Sequence, residues 1–494
     1  MNSLDNPERS RRASPNIGRP KDSFGGVEIF MSKPRSKIVN MHLPASLINS
    51  LSNLPGFSPE PFQRIHESGE QVTSVRFNPH KSISKSPDLS ISKHIPWSSQ
   101  GYYLNERPIF TLDPLFHAGC YYVQEASSMF LEQAIKQTVN LSQPLKILDL
   151  CASPGGKSTL IQSLINEESL LVSNEVIKNR VNVLQENLTK WGGKNVIVTN
   201  NDAKDFARLE NYFDVIVIDA PCSGSGLFRK DPDAVSEWSP QNVELCSQRQ
   251  KRILADVYPA LKREGVLIYS TCSYSVEEDE EILDWMKEKF EVRGLKFEID
   301  PEWGIVESIS DKSNLYGYRF YPDKVRGEGF FIAALQKLDG DEFTVHSKRS
   351  VINRASKNEL AIVKEWIRSE GNILIIKHEQ EAIAIPAALE GEIPILQKNL
   401  YLKQAGISIG KFTAKELVPG HALAMSNLAS LGIASISLNR DSALQYLRKA
   451  DVLIDVGQKG WVLVEYNGIN LGWIKNLGNR INNYYPKDWR ILMR

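Results

Sequence analysis

Cysteine is scarce in this chain, five residues in 494, and the count is odd. A fold held together by disulfides is therefore excluded, and a reduced, cytoplasmic setting is expected. Long apolar runs are missing too. No stretch approaches the roughly 18 uncharged residues that a membrane span needs. The aliphatic run at 215–218 stops at an aspartate and reads as a buried strand. Residues 1–40 hold no hydrophobic segment suited to a signal peptide. Neither sign of charge is in excess. Lys and Arg number 59, as do Asp and Glu, so a uniformly basic coat for nucleic acid is excluded while a local basic groove is not. His117-x-x-Cys120 is a close His/Cys pair without a companion, which argues against structural zinc, and no metal is expected. No internal repeat or long low-complexity tract is present.

What is there is a composition, 41% apolar and 24% charged, that excludes wholesale disorder and suits about three domains. Residues 1–40, with eight basic residues against four acidic ones, read as a disordered basic tail. Residues 41–125 read as a small mixed domain, with a helix over 45–54, a strand over 72–77 and a loop over 81–93. A helix is predicted over 122–139. From 126 to 338 strands and helices alternate: strands at 146–150, 170–173, 196–199, 213–219, 266–271 and 329–335, helices at 158–165, 178–190, 242–262 and 277–289. That order predicts an α/β fold, a mostly parallel sheet with helices on both faces. Residues 345–494 shift to short segments parted by Gly, Pro and charge, a β-rich region with a helix near 442–449.

The strand at 146–150 runs into Cys151-Ala152-Ser153-Pro154-Gly155-Gly156-Lys157 and then a helix. Glycines at such a turn admit a ligand close to the backbone, at the strand ends where open α/β sheets bind ligands. A P-loop requires glycine where Cys151 stands, and a dinucleotide fingerprint requires more than the adjacent Gly155-Gly156 pair. S-adenosylmethionine needs no phosphate cradle. Glu175, about 20 residues past the turn, is placed to accept ribose hydroxyls. Asp202 and Asp219 follow the next two strands. One such acid alone reads as a cap or turn residue. Three at successive strand ends form a field that a cationic sulfonium tolerates and a triphosphate without metal does not.

Two cysteines also close strands: Cys222 in Asp219-Ala220-Pro221-Cys222-Ser223-Gly224, and Cys272 in Thr271-Cys272-Ser273. Neighbouring strands put both on one rim, facing Asp219. A free thiol, with a pKa of about 8.5, needs help to act as a thiolate. Ser275-x-x-Glu278, followed by Asp279, Glu280 and Glu281, reads as a capping box and acidic helix start. A thiol serves a methyl transfer when the acceptor is carbon 5 of a pyrimidine. Addition at carbon 6 makes carbon 5 nucleophilic.

The segments 149–157, 219–224 and Thr271-Cys272-Ser273, in this order and spacing, resemble the RNA cytosine-5 methyltransferases of the Nol/Nop/Sun group. Within that group the likeness is to the RsmF-type enzymes that modify small-subunit ribosomal RNA in bacteria. Ser74-Val75-Arg76-Phe77-Asn78, Gln124-Glu125-Ala126-Ser127-Ser128, 227–233, Trp238-Ser239-Pro240 and Asn483-Tyr484-Tyr485-Pro486-Lys487 extend it from about residue 41 to the end. The resemblance implies a Rossmann-like methyltransferase core, an N-terminal RNA-contacting segment over 41–125 and a PUA-like RNA-binding region over 345–494. It implies that Cys272 is the nucleophile, that Cys222 helps resolve the covalent intermediate, and that Asp219 bonds the cytosine near N3. The cofactor would lie against 151–157, Glu175, Asp202 and Asp219, with Lys157 also near the base. Two departures stand out: Cys151 in place of a small alanine, and the basic extension 1–40.

RNA, within an assembling small subunit, is the expected partner of a monomer, with neither DNA nor membrane. Arg229, Lys230, Arg249, Lys251 and Arg252 are candidates for phosphate contact. Lys475, Arg480, Lys487 and Arg490 interleave with Trp473, Tyr484, Tyr485 and Trp489, a mixture that suits RNA stacking and equally a small β core. Two alternatives share the evidence: transfer RNA as the substrate, or an inactive RNA-binding assembly factor.

Overall fold

The computed structural model describes residues 42–81, 89–340, 352–368, 372–451 and 457–493. The tail expected over 1–40 and part of the loop expected over 81–93 lie outside them.

Aliphatic, β-branched segments form the parallel strands β1 (Lys146–Asp149), β2 (Leu170–Asn174), β3 (Val196–Thr199), β4 (Phe213–Asp219) and β5 (Leu261–Thr271). β6 (Phe330–Lys337) lies antiparallel to β5. Across the sheet the order is β6-β5-β4-β1-β2-β3, so the chain reverses direction between β1 and β4 and opens a crevice there. Helices α1 (Gly156–Leu164) and α2 (Lys178–Trp191) cover one face, where Leu160, Ile161, Val181 and Leu184 pack on Ile147, Leu171, Val198 and Val217. Helices α3 (Pro240–Val257) and α4 (Glu280–Lys289) cover the other, where Ile253, Val257, Ile282 and Met286 pack on Leu148, Val172, Ile216 and Leu267. Successive strand residues thus feed opposite cores, each buried side chain contributing about 1.5–3 kcal/mol.

Three elements depart from the sequence reading, two of them for local reasons. The helix expected over 122–139 begins only at Leu131. Tyr121–Val123 is a strand, and Ser127 and Ser128 are drawn into a tight turn by the Glu125 side chain, which accepts from both their backbone N–H groups. The helix expected over 242–262 ends at Val257, because Pro259 has no N–H to continue it, and β5 begins at Leu261. Within the expected loop 81–93, Ile91–His94 is a strand.

The flanking regions are built onto the core. A four-stranded sheet near the N-terminus sends Arg76, wholly buried, into the first turn of α1. Its guanidinium donates to Gln124 Oε1 at 2.8 Å, Gly156 O at 3.2 Å and Thr159 Oγ1 at 2.6 Å, and lies over Trp191. After residue 340 the chain forms two further four-stranded sheets, and the helix Arg440–Leu447 is capped by Asn439. Within the first of them, between the strands Glu381–Pro386 and Ile407–Phe412, Leu402–Ala405 leaves to pair antiparallel with β3 and occupies that edge of the central sheet. Among the described residues no helix is long and apolar enough to cross a membrane.

One ion cluster lies deep in the core. Arg319, on the strand Tyr316–Phe320, grips Glu280 at the start of α4 with two nitrogens, stands 3.3 Å from Asp279 and donates to Tyr274 O at 2.8 Å. Arg319→Met would leave two buried acids without their cation, so a loss of about 3–5 kcal/mol in denaturant unfolding is expected. A loss below 1 kcal/mol would contradict this account.

Candidate active site

The turn after β1 is shaped by its own backbone and by α2. Gly155 sits at φ +114, a conformation that L side chains avoid, and Gly156 opens α1. The Ser153–Pro154 peptide is cis. Arg180 Nη2 donates to Ser153 O at 2.8 Å, Asn187 Nδ2 to Pro154 O at 2.8 Å, and Ala152 N to Asn174 O at 2.8 Å. Asp149 ends β1 fully buried. One oxygen accepts from Ser158 Oγ at 2.6 Å and the other has no protein partner. Burial pushes this carboxyl up to about 7. Cys151 is half-buried beside it. Burial, followed by the charges of Glu175, Asp149 and Asp219, pushes its thiol well above the ordinary range, so it is a poor nucleophile.

The three acids stand at adjoining strand ends. Glu175, after β2, is buried, accepts from Ile177 N at 2.8 Å and lies 3.5 Å from Arg180. Asp202, after β3, caps the turn Ala203–Arg208 and pairs with Arg252 at 3.5 Å. Asp219, at the end of β4, meets Lys157 Nζ at 2.7 Å and accepts from Ser270 Oγ at 3.0 Å. Lys157 also lies over the Phe330 ring. Asparagines fix the loops between them. Asn174 Nδ2 donates to Leu150 O and Asn201 O, and Asn200 Nδ2 to Glu175 O and Val176 O. The backbone of Tyr401, leading into the strand on the β3 edge, closes the ladder through Asn201, with bonds of 2.9 and 3.1 Å.

Cys222 and Cys272 meet. β4 and β5 pair in parallel with Asp219 opposite Ser270, which carries both cysteines to the same rim, and their sulfurs stand 2.9 Å apart as free thiols. The hydrogen bond to Cys272, with burial and the Glu278 charge behind it, pushes the Cys222 thiol well above its ordinary range. The loops touch backbone to backbone. Gly226 N donates to Cys272 O at 2.9 Å and Gly329 N to Gly226 O at 3.0 Å. A Cβ on Gly226 would fall 2.5 Å from Gly329 O.

Glu278 corrects the capping-box reading. Ser275 makes no side-chain cap. The Glu278 carboxylate points under the cysteine loops and accepts from Ser223 N at 2.8 Å, Ser223 Oγ at 2.5 Å, Ser273 Oγ at 2.6 Å and Gln250 Nε2 at 3.2 Å. Burial pushes this carboxyl above the ordinary carboxylate range, and the four converging donors offset part of that cost. Asp279 accepts from Thr271 Oγ1 at 2.6 Å. The signal in the sequence was the serine directly after each cysteine.

The basic candidates also divide. Arg229 is buried, donating to Gly327 O at 3.0 Å and Glu70 O at 2.7 Å, so it ties the N-terminal helices to the core and is closed to phosphate. Arg252 is paired with Asp202 and Asp256. Arg249 is exposed, and Lys251 and Lys230 are half-buried. In the last sheet Trp473 and Tyr485 are core residues. Tyr484 is exposed against Trp461, over which Lys475 lies at 4.9 Å, and Arg480, Lys487 and Arg490 are exposed. Among the described residues no group of His, Cys, Asp and Glu is arranged to hold a metal.

Asp149 and Glu328 share a titration consequence. Burial raises both to about 7, against about 4 for an unfolded chain. Between those values the native state holds more protons, so stability of the ligand-free protein falls as pH rises from about 4 to 7, by up to about 1.4 kcal/mol per pH unit for each group. Asp149→Asn should flatten that slope in denaturant titrations at several pH values. An unchanged slope would refute the assignment.

Comparison with known proteins follows the same three-part layout. The family model of 16S rRNA methyltransferase RsmB/F matches residues 136–336, that of the N-terminal domain of 16S rRNA methyltransferase RsmF matches 43–126, and that of the methyltransferase RsmF PUA domain matches 434–491. Ribosomal RNA small subunit methyltransferase F of Psychromonas ingrahamii is 31% identical over 413 residues, 80% of this chain and 84% of its own length. Its counterpart in Shewanella loihica is 29% identical over 411 residues, 80% and 83%. The crystal structure of PH0851 shares the fold with a TM-score of 0.53 at 23% identity, over 63% of this chain and 71% of that one. With its methyltransferase core, N-terminal domain and PUA domain, this chain belongs to the ribosomal RNA small subunit methyltransferase F family.

Proposed function

We propose that this chain methylates carbon 5 of a cytosine in RNA, with small-subunit ribosomal RNA as substrate and S-adenosylmethionine as methyl donor. The observation that carries the reading is the pair of free sulfurs in contact at the rim of the crevice, one three residues past Asp219 at the end of β4 and the other one residue past the end of β5. In this reading 41–125 contacts RNA, 126–338 performs the transfer and 345–494 binds RNA.

The donor set suits the cofactor. The crevice gathers Asp149, Glu175, Asp202 and Asp219, and the Asp149 oxygen left without a protein partner is an acceptor for a cationic amino group. Residues 151–157, Glu175 and Asp202 would hold it, and when bound it supplies an electrophilic methyl group on a cationic sulfur.

The chain's own residues do the rest. The Cys272 thiol gives its proton to a water-borne base, its sulfur bonds carbon 6 of the cytosine, and the electron pair of the C5=C6 bond moves to carbon 5, where the methyl group is taken up. Asp219, held by Lys157 and Ser270, accepts from the amino group of the base near N3 and orients the ring, and the Lys157 ammonium offsets the negative charge that addition places on it. The carbon 5 proton then leaves to a water-borne base, C5=C6 re-forms, and the C6–S bond breaks. Cys272 departs as a thiolate beside the Cys222 S–H, which hydrogen-bonds it and favours release. The target base must leave its stack first, at a cost of a few kcal/mol that is lowest in loops and at helix ends.

Cys222→Ala is expected to accumulate an RNA adduct that survives denaturing gels, while Cys272→Ala gives neither adduct nor product. A Cys272 variant with full activity would refute the mechanism. Bisulfite sequencing of ribosomal and transfer RNA from cells with and without the gene would name the base, and protein that binds RNA but not S-adenosylmethionine would favour an inactive assembly factor.

A further inference from the structure

Two thiols on separate loops do not stay in contact by themselves. Free cysteines attract each other weakly, and each of these sits past the end of its strand, where no ladder bond fixes it. The residue that follows each cysteine is a serine. Ser223 offers its backbone N–H and hydroxyl, Ser273 its hydroxyl, and all three end on the Glu278 carboxylate, which carries a fourth bond from Gln250 on α3. Gln250 in turn donates to Pro221 O, the residue before Cys222, at 3.0 Å. Glu278 itself is fixed through its backbone, whose carbonyl accepts from Tyr269 Oη of β5 at 2.7 Å. One buried carboxylate therefore grips both cysteine loops and is anchored to the strand that carries one of them.

We propose that Glu278 is the positioning residue of the sulfur pair, holding Cys222 and Cys272 in contact by binding the residue after each. The inference rests on the reaction proposed above and adds to it a division of labour between the thiols. The groups facing Cys222 are Cys272, Glu278 and Tyr269. A carboxylate beside Cys222 opposes its ionisation, so Cys222 keeps its proton as the hydrogen-bond donor, and Cys272 is left as the sulfur that adds to carbon 6. Glu278 touches neither the base nor the cofactor crevice. It acts through the two serines.

Two variants separate position from charge. Glu278→Ala removes the grip, and kcat for methyl transfer from S-adenosylmethionine to small-subunit ribosomal RNA is expected to fall about 10²-fold, with KM for either substrate within about twofold. Glu278→Gln keeps an acceptor for Ser223 N and can donate to the serine hydroxyls, so it should recover kcat to within about tenfold of wild type. The second readout needs no RNA or cofactor. In a Cys272→Ser background, the pH at which iodoacetamide alkylates Cys222 at half its maximal rate, read by peptide mass spectrometry, should move down by about one unit when Glu278 becomes Gln. Because the alkylation profile does not depend on which base is methylated, it decides the role of Glu278 even if the substrate assignment fails. A Glu278→Ala enzyme with wild-type kcat, or an unmoved alkylation profile in the Glu278→Gln protein, would overturn the proposal.

Discussion

The register of two neighbouring parallel strands governs the chemistry of this molecule. Asp219 on β4 lies opposite Ser270 on β5, and every group of the proposed reaction centre is counted from that pairing. Three residues past Asp219 stands one sulfur, two past Ser270 the other, and the hydroxyl of Ser270 orients the carboxylate of Asp219. A parallel pair cannot slip by one residue without turning its apolar side chains from one core to the other. Both faces here are buried, so the cores on either side lock the register, and through it the site.

Around that pairing the polar groups fall into two kinds. Those at the crevice are underused. Asp149 keeps an oxygen without a protein partner, Asp219 is partly open, and the sulfurs bond chiefly to each other. Below it Glu278 takes four bonds, and Arg319 grips the first turn of α4. Buried carboxylates with converging donors are rigid because releasing any one donor leaves a charge without compensation. A stiff floor beneath a reactive rim is the arrangement that holds reacting atoms in place.

The central sheet was legible because each parallel strand is an aliphatic run with an acid or a thiol at its end or within three residues beyond it, and the glycine turn because Gly155-Gly156 follows one of them closely. The supporting residues were not. Arg76 reads as an ordinary strand residue until its guanidinium is seen in the first turn of α1. Arg229 reads as a surface cation until its two carbonyl partners close around it. Glu278 was hidden by proximity, since a serine three residues before a glutamate near a helix start spells a cap, and only the fold shows four donors in another direction. Tyr121–Val123 was lost in an apolar stretch whose helical spacing is genuine only after Leu131. For Arg76, Arg229 and Glu278 the deciding contacts reach residues far away in sequence, where local pattern carries no signal.

The short strand Leu402–Ala405 gives the central sheet a dependency that its length conceals. It supplies the outermost rung beside β3, and the tyrosine before it completes the asparagine ladder that spans the loops at the ends of β1, β2 and β3. As the polypeptide is synthesised, β3 emerges long before this partner and must wait with its margin uncovered. The methyltransferase core is therefore not a self-sufficient module carrying a detachable C-terminal appendage: its last seam is sewn by thread from the appendage.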